Sequence, residues 1–293
     1  FQQREKKKPE GAIKCTIDLK KGTGIFFRRT RPLNPAQRQA LDESVREQLR
    51  KGVLEPSDSP YSSPVLLVPK SGGRLRFVVD LRALNKAVEK DSYTLPRTEE
   101  AFTAMHGSEV FSVVDLTDAF WSVDLNEASR KYTAFQTPTG AYQYRVMPQG
   151  YKNASQTFCR FIDQALGPLK YHHVMSYIDD LIVYTKTNEQ HIAVLEDLFS
   201  RLEHAGLTLS PKKCKFFCKS APFLGHIIDR EGIHPDPQKV AAIEAIELPI
   251  SAKGLKSLVC QVGYYRRFCP NFSKVTEPLR RKVDVPSEWV LGE

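Results

Sequence analysis

His173-Val174-Met175-Ser176-Tyr177-Ile178-Asp179-Asp180-Leu181-Ile182-Val183-Tyr184 sets two adjacent carboxylates between two short apolar runs of high β propensity. The pattern predicts a hairpin with Asp179 and Asp180 at its tip. Nothing in a hairpin requires two neighbouring acids, and their repulsion works against the turn. A divalent cation would give them a purpose, because hard metals take carboxylate oxygens. Val110-Phe111-Ser112-Val113-Val114-Asp115 has the same texture, a β-branched run ending in an acid. If the two strands end side by side, Asp115 meets the pair. Three carboxylates can hold two metal ions about 3.5–4 Å apart, the arrangement used for in-line phosphoryl displacement. Asp is also a common turn former, and a lone Asp-Asp would be read that way. The apolar flanks and the matching Asp115 segment turn the reading toward metal.

The remaining composition bounds the answer. With 293 residues, 41% of them hydrophobic, the chain can bury a core and divide into two or three subdomains. Its 43 Lys and Arg against 34 Asp and Glu leave a net charge of +9, which fits a polyanionic partner without requiring one. The six cysteines make no CxxC pair and share no ligand spacing with the seven histidines, so reduced thiols are the expectation. No apolar stretch approaches the roughly 18 residues of a membrane span. No signal peptide is legible, and the start at Phe1 reads as a piece of something longer.

Residues 1–33 read as a basic, irregular N-terminal arm. Asn34-Pro35-Ala36-Gln37 opens a helix with an N-cap, a first-turn proline and a capping-box glutamine, and Gly52 closes it. Two runs around Ser71-Gly72-Gly73 predict a hairpin carrying Lys70, Arg74 and Arg76. Strands are expected at 110–115, 120–125, 132–136, 141–146, 213–218 and 223–229. Helices are expected at about 153–166 and from Ile192 to Gly206. From about Pro235 the texture turns helical, near 237–247, 252–266 and 273–282.

Six motifs stand in order along the chain: Val79-Asp80-Leu81-Arg82-Ala83-Leu84-Asn85, Val114-Asp115-Leu116-Thr117-Asp118-Ala119-Phe120, Met147-Pro148-Gln149-Gly150-Tyr151-Lys152-Asn153-Ala154, Tyr177-Ile178-Asp179-Asp180, Gly206-Leu207-Thr208-Leu209 and Phe223-Leu224-Gly225-His226. In this set the chain resembles reverse transcriptases of long-terminal-repeat retrotransposons, Ty3/gypsy-like, and of retroviral pol polyproteins. Ala119-Phe120 is closer to the retroviral form. Gly263-Tyr264-Tyr265-Arg266-Arg267-Phe268 is closer to the thumb of gypsy-type elements.

The resemblance implies an α+β right-hand polymerase. Fingers would span 34–108 and 126–150, the palm 109–125 and 151–228, and the thumb with the start of a connection 229–293. It implies an RNA-directed DNA polymerase extending a primer with dNTPs by two-metal nucleotidyl transfer. Asp115, Asp179 and Asp180, with the Leu116 carbonyl, would bind two Mg²⁺ ions, Mn²⁺ being an alternative. Lys70, Arg76, Leu116, Asp118, Ala119, Phe120, Gln149 and Lys213 would meet the nucleotide, Phe120 as a gate against a 2′-hydroxyl. Arg82, Asn85, Gly150, Tyr177, Leu224, Gly225 and His226 would meet primer and template.

The implied partners are an RNA template, a DNA primer, their RNA/DNA hybrid and dNTPs, with no membrane. RNase H and integrase domains would lie on the full polyprotein, a dimer is allowed, and a cytoplasmic virus-like particle is the implied location. An RNA-dependent RNA polymerase shares the palm chemistry, but Phe120 and Tyr177-Ile178-Asp179-Asp180 argue against it. A domesticated binding domain would be free to lose its acids, and all three are present.

Overall fold

In a computed structural model, the structure describes residues 11–69, 75–94, 98–247, 249 and 251–284. The chain divides into two units, the first ending at Cys218 and the second beginning at Lys219. In the first unit, residues 11–33 form no helix or strand beyond isolated bridges, yet they are packed down. Cys15 and Ile17 are buried in the core, and Cys15, Leu19 and Phe27 bridge to Leu125, Val88 and Ser62.

Helix α1, Pro35–Arg50, begins at the expected capping box: the Gln37 N–H donates to Asn34 Oδ1 at 2.8 Å and the Asn34 N–H to Gln37 Oε1 at 3.0 Å. It ends where Gly52, at φ 68°, lets the Val53 N–H reach back to the Gln48 carbonyl. Next come β1 (Leu54–Pro56), β2 (Val65–Pro69) and β3 (Leu75–Val79), then α2 (Arg82–Ala87) and α3 (Thr98–Ala104). Strands β2 and β3 form the expected antiparallel pair, with Val68 opposite Arg76. Lys70 and Arg74 lie outside the described residues.

The central strand β4 is Val110–Asp115. The strand expected at 120–125 is instead a 3₁₀ turn over Ala119–Ser122. Asp118 starts it at φ 49°, a left-handed conformation Asp tolerates, and packing of Ala119 into the core overrides the β propensity of the run. After α4 (Glu127–Arg130), β5 (Phe135–Thr137) and β6 (Gly140–Tyr144) join β1 in the order β1-β6-β5. The strand expected at 132–136 is correspondingly shorter, its first part being a 3₁₀ turn over Lys131–Thr133.

Helix α5 (Ala154–Leu166) leads to β7 (Val174–Tyr177), β8 (Asp180–Thr185), α6 (Asn188–His204) and β9 (Lys215–Cys218). These strands and β4 make one antiparallel sheet in the order β7-β8-β4-β9. Phe111, Val114, Leu181, Ile182 and Val183 are fully buried, which is why β4 and β8 read as continuous apolar runs. Each such side chain contributes roughly 1.5–3 kcal/mol.

The second unit opens with β10 (Ser220–Phe223), β11 (His226–Asp229) and β12 (Gly232–Pro235), followed by α7 (Pro237–Glu244), α8 (Ala252–Gly263) and α9 (Phe272–Asp284). The single strand expected at 223–229 is a hairpin. Leu224 and Gly225, both at positive φ, form its two-residue turn. Because β11 pairs with β12, this hairpin lies in the second compact unit, which begins at Lys219.

Candidate active site

Asp115 and Asp180 are direct partners across the β4–β8 ladder, the last of six consecutive pairs from Val110↔Thr185 to Asp115↔Asp180. Directly opposed residues of antiparallel strands share a face of the sheet. Ser112, three residues before Asp115, bonds to His191 of α6. Alternation therefore puts Ser112 and Val114 toward α6, and Asp115 with Asp180 on the other face.

Asp179 occupies the turn. Tyr177 pairs with Asp180, which leaves Ile178-Asp179 as a two-residue hairpin loop. Only Ile178 of the two has positive φ, at 58°. That is the type II′ form, whose first position normally takes Gly. A β-branched residue there is strained by roughly 1–3 kcal/mol. The acid pair thus sits on a turn that the surrounding packing holds against local preference.

The electrostatics are those of crowded acids. Loss of water pushes the Asp180 carboxyl above its ordinary value, Asp179 and Asp115 push it further, and Lys213 works the other way. The Lys213 ammonium lies 3.3 Å from both carboxylate oxygens of Asp115. The Asp115 carboxylate is 27% exposed and the lysine side chain 70%.

Among the described residues, no three acidic, His or Cys side chains stand close enough together to enclose an ion. The donor set nonetheless suits a hard divalent cation. All three side chains offer carboxylate oxygen, and their repulsion is what such an ion relieves. The bridge between Leu116 and Leu209 is closed by Ser210 N–H to the Asp115 carbonyl and Thr117 N–H to the Thr208 carbonyl. The Leu116 carbonyl takes no part in either bond.

Of the other candidate residues, Phe120 is half-buried, tilted edge-on against Phe158 of α5 at 5.5 Å between ring centres. Asp118 is exposed, while Leu116 and Ala119 are buried. Arg76 donates to Gln149 Oε1, which joins β3 to the loop before α5. Asn85 Nδ2 donates to the Gly150 carbonyl and its Oδ1 accepts from the Lys152 N–H, both at 2.8 Å. Asn85 therefore shapes that loop, and Gly150 turns at φ 84°.

Arg82 forks onto Asp80 at 2.6–3.0 Å, and this bond holds the Asp80 carboxyl below its ordinary value. With Arg28, Arg29, Arg31 and Lys86, Arg82 lines a concavity of about 750 Å³. In the second unit, Tyr264 and Tyr265 hydroxyls donate to the Leu224 and Gly225 carbonyls at 2.5 and 2.9 Å, and the His226 ring packs against both tyrosines. The sequence reading missed Ser112, His191 and these hydroxyl contacts. Single polar residues carry no periodic signal, and their partners lie far away in the chain.

Residues 68–228 match the family described as reverse transcriptase (RNA-dependent DNA polymerase). The chain belongs to the reverse transcriptase family. Curated relatives in this family include the retrovirus-related Pol polyprotein from transposon 297 of Drosophila melanogaster, 32% identical over 97% of this chain. The transposon Tf2-3 polyprotein of Schizosaccharomyces pombe is 31% identical over 96% of it. The chain spans only 28% and 21% of those two polyproteins.

Among solved reverse transcriptases, the foamy viral protease-reverse transcriptase dRH in complex with double-stranded DNA superposes at a TM-score of 0.83. It is 26% identical, covering 95% of this chain and 48% of that one. The foamy viral enzyme in complex with an RNA/DNA hybrid gives 0.78, with 26% identity over 92% and 36%. The fold is the α+β right-hand polymerase. Reverse transcriptases generally use divalent metal ions.

Proposed function

We propose that this chain is an RNA-directed DNA polymerase domain that extends a primer with dNTPs on an RNA or DNA template. The observation that carries the reading is the pairing of Asp115 with Asp180, one residue from Asp179, inside a reverse transcriptase fold. Asp115, Asp179 and Asp180 would hold two divalent ions, with the Leu116 carbonyl as a further oxygen. Bound there, Mg²⁺ or Mn²⁺ supplies acidity at the primer 3′-hydroxyl and neutralises charge on the leaving pyrophosphate.

The protein's own groups position the reactants. Arg76 offers a planar fork for phosphate oxygens and is already oriented by Gln149. Lys213 balances the Asp115 charge and is exposed enough to meet a triphosphate. Phe120, backed by Phe158, presents a bulky face where a 2′-hydroxyl would have to fit. The concavity lined by Arg28, Arg29, Arg31, Arg82 and Lys86 suits a nucleic-acid backbone bound through phosphates, hence salt-sensitively and with little sequence preference. Leu224, Gly225 and His226 would grip the primer end. Fingers are assigned to 34–108 and 126–150, palm to 109–125 and 151–228, and thumb to 229–293.

The test is primer extension on poly(rA)/oligo(dT) with and without Mg²⁺. Metal-dependent incorporation of dTTP supports the reading. Incorporation of ribonucleotides alone would move the chain to the RNA polymerases, and no incorporation by a folded chain would leave a binding domain.

A further inference from the structure

His191 of α6 is fully buried and makes two side-chain hydrogen bonds, Nε2 to Ser112 Oγ at 2.7 Å and Nδ1 to Thr185 Oγ1 at 2.8 Å. Their directions follow from the outer partners. The Thr185 hydroxyl donates to the Thr187 carbonyl at 3.1 Å, so its oxygen must accept from Nδ1–H. The Phe217 N–H donates to Ser112 Oγ at 3.1 Å, which leaves the serine hydroxyl free to donate to Nε2. A neutral imidazole protonated on Nδ1 satisfies every group in this chain of bonds.

The outer amide lies at an irregularity. Phe111 pairs with Cys218 but Val113 with Lys215, so β9 takes three steps while β4 takes two. That is a β-bulge, with Phe217 at φ 52°. Its N–H lies off the regular ladder, and Ser112 supplies the acceptor. The Phe217 ring also stands edge-on to the imidazole, 5.1 Å between centres.

Just before this bulge lies the turn that carries Lys213. Its other end is tied by the Ser210 N–H to the Asp115 carbonyl at 2.9 Å. The lysine is therefore suspended between two anchors on the same strand, Asp115 itself and Ser112. We propose that His191 is a positioning residue that locks Ser112 onto the β9 bulge and thereby holds Lys213 over Asp115. Its effect on turnover rests on the polymerase reading above; its effect on the bulge does not.

The experiment uses the 293-residue chain as wild type, His191→Gln, His191→Leu, Ser112→Ala and the His191→Leu/Ser112→Ala pair. Gln presents an amide donor and acceptor about as far apart as the two ring nitrogens. Imidazole nitrogen shifts in the wild type are expected to report the neutral Nδ1–H form at pH 7. Hydrogen exchange at the Phe217 amide should quicken about tenfold in His191→Leu and little in His191→Gln.

In primer extension, kcat should fall about tenfold in His191→Leu with KM for template-primer unchanged, and stay within about twofold in His191→Gln. The double variant should be no slower than the worse single one. An Nε2–H or doubly protonated ring, unchanged Phe217 exchange in His191→Leu, a Gln variant as damaged as Leu, or multiplicative losses would each overturn the inference. If His191→Leu does not fold, the wild-type tautomer and His191→Gln decide it. A wild-type chain that extends no primer defeats the functional reading alone, and the exchange and tautomer measurements then decide the role of His191.

Discussion

Asp115 and Asp180 face each other across neighbouring antiparallel strands, closing the ladder that begins at Val110 and Thr185. Two carboxylates in that position repel, and a structure keeps such a pair only where something positive compensates. Lys213 meets part of that need from the β9 side.

Asp115→Asn and Asp179→Asn remove one negative charge each without changing size. Primer extension should drop by at least about 10³-fold in either variant, with circular dichroism and melting unchanged or improved. Normal extension by a purified variant would remove these acids from the chemistry.

Asp180→Asn should inactivate the chain and also stabilise it. The folded state raises the Asp180 carboxyl above its ordinary value, through lost water first and then Asp179 and Asp115. The folded state therefore binds the proton more readily than the unfolded one. The penalty is full above the raised value and vanishes as pH falls below the ordinary one. The gain in melting temperature should be larger at pH 7 than at pH 4. Added Mg²⁺ should raise the wild-type melting temperature more than the variant's. Equal gains at both pH values would contradict this account.

Phe120→Val opens space in front of Phe158. Discrimination against ribonucleotides, read as the ratio of kcat/KM for dNTP over rNTP, should fall by about tenfold or more. An unchanged ratio would return Phe120 to an ordinary packing role.

Leu224→Asn installs Asn-Gly in a turn whose two residues both have positive φ. Asn accepts that backbone far better than Leu, so the second unit should gain about 1 kcal/mol against urea. If Leu224 grips the primer, KM for template-primer should rise at the same time. A more stable variant with unchanged KM would separate the turn from primer binding.

Much of this was legible along the chain because it is local. The α1 capping box needs only residues three apart, and the hairpin of Asp179 and Asp180 only apolar runs on either side of a turn. The order of the six motifs likewise needs no coordinates. What local propensity could not supply was backbone bent against preference by distant packing. The run 120–125 reads as strand, yet its first part folds into the 3₁₀ turn over Ala119–Ser122, and Leu224-Gly225 breaks an apparent strand into a hairpin.

By itself, then, the sequence singled out the candidate groups for the proposed chemistry: three carboxylates, basic residues in the same set of motifs, and strands long and apolar enough to be buried. Tertiary structure alone decided that Asp180 is the residue opposite Asp115, that Lys213 reaches the latter, and that His191 and Ser112 brace the β9 bulge. The reason is physical. Strand register has a period of two, so a slip of one residue would send Asp115 to the helix face, and only the packed sheet with its bulge fixes that choice.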